Sequence, residues 1–181
     1  MSSLLDLLLS GDNKSTIDQL SKNFGLDESQ TRSAVKELIP ALSRGLQNNS
    51  SSEPGMNDLL EALRTGEHSR YMDQPTSLGA NTTTKDGNDI LGHIFGSKEV
   101  SREVASRASS KTGISSSLLK KMLPVLASVA MGTLGKSLLG GSSRSNRRSA
   151  SSGILGTLLD SDRDGSVWDD VLGMAARTML R

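Results

Sequence analysis

The chain has 181 residues and carries 21 basic against 20 acidic side chains, a net charge of +1, so no overall charge draws it to nucleic acid or to an anionic membrane. Hydrophobic residues are 34% and aromatics 2% of the total, which leaves a thin core of Leu, Ile, Val, Met and Ala in one domain or two small ones. The absence of cysteine excludes disulfides, thiolate metal sites and a cysteine nucleophile, and fits a reducing cytosol.

The first element is a leucine run, Leu4, Leu5, Leu7, Leu8 and Leu9, which reads as a short helix closed by Gly11. It contains Asp6 and has no preceding Lys or Arg, so it lacks the basic start of a signal peptide. No stretch approaches the ~20 apolar residues of a membrane span, and the expectation is a cytoplasmic protein. A second helix covers Ser15 to Phe24, with Ile17, Leu20 and Phe24 at helical spacing and Gly25 as its stop. Asp27 caps a third, along which Val35, Leu38, Ile39, Leu42 and Leu46 form one apolar face. Pro40 falls inside that face, where it removes the hydrogen bond to the Lys36 carbonyl and predicts a kink. Asn48 to Gly55 reads as a polar linker, and Met56 to Arg64 as a fourth helix carrying Met56, Leu59, Leu60 and Leu63. Glu67 to Asn88, with Pro75, Gly79 and Thr82 to Thr84, lacks periodicity and reads as a loop.

The pattern then starts again. Asp89 to Gly96 matches the Leu4 to Gly11 helix, and Lys98 to Lys111 is a second helix stopped by Gly113. Leu118, Leu119, Met122, Leu123, Leu126, Val129 and Ala130 form the apolar face of a long helix running to Leu139. Pro124 interrupts that face within Met122-Leu123-Pro124-Val125-Leu126, as Pro40 does within Leu38-Ile39-Pro40-Ala41-Leu42. The glycine-to-proline spacing differs between copies by four residues, about one helical turn, so the apolar face stays in phase. A duplicated helical unit follows: 1–66, a flexible linker at 67–88, and a second unit at 89–139.

Gly140 to Gly153 is a Ser/Gly/Arg linker whose Arg144, Arg147 and Arg148 read as a soluble spacer rather than a phosphate contact. Residues 154–181 form a third section. Gly153-Ile154-Leu155-Gly156-Thr157-Leu158-Leu159 echoes the short helix once more, and a final helix carries Trp168, Val171, Leu172, Ala175 and Met179 on one face.

The strongest chemical signal lies between them. Asp160, Asp162 and Asp164 occupy positions 1, 3 and 5 of a loop with Gly165 at the turn and Ser166 next, the first half of a Ca²⁺ loop. The second half departs from the pattern, since Val171 stands where a bidentate Glu belongs, while Asp169 and Asp170 could serve in a contracted loop. The same residues can cap the last helix, with Ser166 as N-cap and Asp169 three residues on. The two readings are compatible, and both stay open.

A second candidate is the helix–turn–helix rhythm around Gly25. A DNA reader would present Arg, Lys, Asn or Gln at the start of the second helix, whereas Asp27-Glu28 opens it here and repels phosphate. Helix packing is the preferred reading. Catalysis has little support: the two histidines, His68 and His93, sit in no recognisable catalytic or zinc pattern, and no phosphate loop or dinucleotide fingerprint occurs.

Leu4-Leu5-Asp6-Leu7-Leu8, Gly25-Leu26-Asp27-Glu28, Ile39-Pro40-Ala41-Leu42, Ile90-Leu91-Gly92-His93-Ile94, Leu123-Pro124 and Asp160 to Leu172 together resemble the bacterial DUF937 family, which has YidB-like relatives and no assigned function. The resemblance implies an all-helical, partly homeodomain-like fold and no enzyme activity. The sequence reading is therefore an all-α, non-enzymatic interaction or structural protein that associates with itself or a protein partner. Its one cation candidate is Ca²⁺ at Asp160, Asp162, Asp164, Ser166, Asp169 and Asp170. A DNA-binding regulator acting through the first unit is the alternative.

Overall fold

A computed structural model describes residues 4–65 and 70–139, and every regular element in them is helical. In chain order these are α1 (Leu4–Leu9), a 3-10 turn (Gly11–Asn13), α2 (Lys14–Phe24), α3 (Glu28–Ser50) and α4 (Glu53–Thr65). Then come α5 (Arg70–Asp73), a second 3-10 turn (Pro75–Gly79), α6 (Asn81–Phe95), α7 (Lys98–Thr112) and α8 (Ser116–Leu139). The protein is all-α, as expected.

Local chemistry sets the boundaries. Gly25, Gly96 and Gly113 close α2, α6 and α7 in the left-handed region, at φ of 64°, 67° and 73°, which side chains with a Cβ resist. Asp27 opens α3 with a full capping box: its carboxylate accepts from the Gln30 amide N–H at 2.7 Å, and the Gln30 side chain accepts from the Asp27 N–H at 3.2 Å. Ser97 caps α7 by accepting from the Val100 N–H.

The two long helices run unbroken through their prolines. Each proline is flanked by buried apolar residues, Leu38, Ile39, Ala41 and Leu42 in α3 and Met122, Leu123, Val125 and Leu126 in α8. Pro40 and Pro124 lack the N–H groups that would donate to the carbonyls of Lys36 and Lys120, both exposed residues.

α8 is the axis of the fold. It packs against α6, α7, α3, α5, α1 and α4, while α3 also packs against α7 and α6. The helices before and after residues 66–69 consequently share one hydrophobic core, reaching from Leu4 and Leu8 through the centres of α3 and α8 to Leu134. By length and composition Ser116–Ser137 could cross a membrane, which revises the expectation that no stretch approaches that size; 83% of its apolar window is buried inside the fold.

Two segments read as linkers are helical. Of the segment 67–88, all residues from Arg70 onward except Gln74 and Ala80 lie in helices or a 3-10 turn, and α6 begins at Asn81. Its packing does not use an apolar stripe, which is why periodicity missed it. Gly87 admits the α8 backbone, and Thr83 donates to the Ser77 carbonyl at 2.6 Å while its own carbonyl accepts from Ser128 at 3.1 Å. The Asn48–Gly55 linker shrinks to Ser51 and Ser52, because the hydroxyls of Ser50, Ser51 and Ser52 each donate to the carbonyl three residues back and support helical turns.

Candidate functional site

Among the described residues, the long helices and their neighbours leave an apolar depression. α3, α4, α6 and α8 form a cleft of about 430 Å³, its open mouth included. Leu46 of α3, Leu59 of α4, Ile90 and Ile94 of α6 and Met131 of α8 give it apolar walls. Asn49, Asp58 and His93 supply the polar groups around it. Leu59, Ile90 and Ile94 are buried but retain 8% exposure each, and the partly buried Ala62 lies beside them.

Glycines make the geometry. A Cβ on Gly45 would stand 2.1 Å from Ile94 Cγ2, so α3 and α6 can approach this closely only because residue 45 lacks one. A Cβ on Gly55 would stand 2.0 Å from the Asn49 carbonyl oxygen, which fixes the tight junction of α3 and α4. Asn49 then ties the rim together, donating from Nδ2 to the His93 carbonyl at 2.5 Å. Such a cleft offers apolar surface with a few orienting polar groups.

A second cluster joins α5 to α6. The Tyr71 side chain is fully buried and its hydroxyl donates to the Asp86 carboxylate. Arg70 donates to the same carboxylate at 3.2 Å and to the Tyr71 oxygen at 2.9 Å, and its guanidinium lies 5.0 Å from the Tyr71 ring centroid. Burial, and then the neighbouring Asp86 carboxylate, push the Tyr71 hydroxyl above its ordinary pKa of 10.0. Lys136 of α8 pairs with Asp73 at 3.0 Å and holds the same short helix from the other side. Sequence reasoning missed this cluster because it lies in the segment taken for a loop; the one tyrosine of a chain poor in aromatics was the available signal.

Most of the sequence-predicted residues are not among those described. Asp160, Asp162, Asp164, Ser166, Asp169 and Asp170 lie outside the described residues, as do His68 and the linker arginines. Among the described residues, no group of three or more His, Asp or Glu is placed to hold a metal ion. His93 lines the cleft and is exposed. In the helix–turn–helix region, Gln30 is engaged in the α3 capping box. Arg32 bonds Glu28 at 2.9 Å and reaches the Leu9 carbonyl at 3.4 Å. The polar side chains that a base reader would extend are bonded within the protein.

A family model described as "Bacterial protein of unknown function (DUF937)" matches residues 6–137, the span that contains every residue lining the cleft. No curated protein and no solved structure matches the chain.

Proposed function

Since the chain belongs to that bacterial family of unknown function, we propose from the cleft that it is a non-enzymatic helical interaction module which associates with a second copy of itself. The cleft seats an apolar segment of that copy, as amphipathic segments are held in hydrophobic grooves elsewhere. The observation that carries this reading is a depression with apolar walls, Leu46, Leu59, Ile90, Ile94 and Met131, and a polar rim. Covering such surface is favourable by roughly 25 cal/mol per Å² removed from water.

The alternative, a DNA-binding regulator using the first unit, draws less support. Asp27 and Glu28 place negative charge at the start of α3, and Gln30 and Arg32 are already bonded.

Ala62 lines the cleft without filling it, so Ala62→Trp places a large side chain in the space an incoming segment would occupy. Light scattering against concentration should show the wild-type mass rising above 19.1 kDa while the variant stays at that value with an unchanged melting temperature. Equal association of the two chains, or none in either at millimolar concentration, would refute the reading. Retention on duplex DNA that weakens with salt would favour the alternative instead.

A further inference from the structure

We propose that the part of the second copy which enters the cleft is the lysine-bearing start of its α8, around Leu118, Lys120 and Lys121. This rests on the reading of the cleft as a seat for a second copy, and names the surface of that copy which fills it.

The first support is the charge at the cleft mouth. Among the residues lining the cleft and their immediate neighbours along the chain, the acidic side chains are Asp58, Glu61 and Asp89, and no Lys or Arg stands among them. Asp58 lines the cleft, and Asp89 lies next to Ile90 and one turn before His93 on the same side of α6. Both aspartates are exposed, and among the described residues no ion pair engages either. Two clefts facing each other would press these aspartates against the same residues of the second copy, and like charges across an interface disfavour that arrangement. The surface that fits instead is apolar at its centre and basic around it.

The second support is that the fold carries such a surface elsewhere. Where α7 turns into α8 through Gly113, Leu118 is only partly buried, and Lys121 follows it one turn later on the same side of α8. Lys120 and Lys121 are exposed, and among the described residues neither is in an ion pair. Lys111, at the end of α7, pairs with Glu37 of α3 at 3.1 Å and so brings the exposed Lys36 to the same end of the fold. These groups amount to four lysines and one carboxylate, which is already paired with one of them.

Position agrees with charge. Lys121 precedes Met131 of the cleft by ten residues, about 15 Å along α8, so the entering surface and the seat are separate places on the chain. One copy offers its lysine-bearing end while another offers its cleft. Leu118 then adds its apolar area to the cleft walls, and Lys120 and Lys121 meet Asp58 and Asp89 at the rim. Exposed charges of this kind contribute modestly each, yet they decide which surfaces meet, and salt screens their attraction.

Two double variants of the full chain test the pairing, each measured by light scattering against concentration. Asp58→Lys with Asp89→Lys reverses the rim, and Lys120→Glu with Lys121→Glu reverses the entering end; all four positions are exposed. Each double variant alone should associate at least about tenfold more weakly than wild type. An equimolar mixture of the two should recover the wild-type mass, since each then offers the other opposite charge, a result that a misfolded variant cannot give. Wild-type association should also weaken as sodium chloride is added. Either double variant associating as well as wild type, or a mixture no better than its parts, would overturn the inference. Ala62→Trp decides the cleft reading separately: association lost there but kept in both charge variants leaves the cleft as a seat for another surface of the second copy.

Discussion

Gly87 gives the sharpest test of the packing. It is buried in α6 where that helix meets α8, and a Cβ built there would stand 1.8 Å from the Pro124 carbonyl oxygen, 2.3 Å from its carbon and 2.7 Å from its Cα. All three are backbone atoms of the helix at the centre of the fold, so no side chain can swing aside. Reaching the 3.0 Å floor of real Cβ contacts requires the helices to part by about 1.2 Å. A gap of even 0.5–1 Å forfeits roughly a quarter to a half of a dispersion contact, and α6 against α8 is the most extensive helix pairing present. Gly87→Ala should therefore cost about 3 kcal/mol, at the upper end of ordinary overpacking, despite the roughly 0.5–1 kcal/mol that alanine gains over glycine in a helix. At ~2–4 °C per kcal/mol for a chain of this size, the melting temperature should fall by about 6–12 °C, read by far-ultraviolet circular dichroism. Gly92, in the same helix, has nothing within 4 Å of its virtual Cβ. Gly92→Ala isolates the propensity gain and should stabilise by roughly 0.5–1 kcal/mol. A Gly87→Ala protein melting at or above the wild-type temperature would refute the close crossing.

Three further outcomes are expected. Tyr71→Phe removes a hydrogen bond to a carboxylate and should cost about 1.5–3 kcal/mol in urea unfolding. Because burial and Asp86 raise the Tyr71 pKa in the folded state, the folded protein holds that proton more tightly than the unfolded chain. The contribution is present below pH 10 and lost as pH rises through the raised value, so wild type should weaken in alkali with a slope that Tyr71→Phe lacks. Asp27→Ala removes the α3 cap and should cost about 1 kcal/mol, while Asp27→Asn, which can still accept the Gln30 N–H, should cost less. For the acidic loop, proposed as a Ca²⁺ site from its spacing, the emission of Trp168, the only tryptophan, should change saturably with Ca²⁺, revert with chelator and stay flat with Mg²⁺. A flat Ca²⁺ titration confirmed by calorimetry would leave Asp160, Asp162 and Asp164 as helix-capping charge.

Much of the architecture was legible along the chain because its signals are local. Gly25 and Gly113 mark helix ends through the backbone freedom that glycine alone has, and Asp27 marks a start through a bond made three residues away. The apolar faces of α3 and α8 follow from 3.6-residue periodicity, and a proline stands inside each of these helices, as the sequence pattern has it. Only the tertiary structure could decide what depends on distant partners. Residues 81–88 look featureless in sequence, since Gly87 is set by the distant backbone of Pro124, and the Thr83 carbonyl accepts from the Ser128 hydroxyl 45 positions away. The joining of the earlier and later helices into one core around α8, the burial of that helix inside protein, the Tyr71–Asp86–Arg70 cluster and the cleft all arise from non-local packing. The cleft is the clearest case: Leu46, Leu59, Ile90, Ile94 and Met131 each belong to an apolar helix face in the sequence. That they line an opening and not a seam follows from how four helices cross.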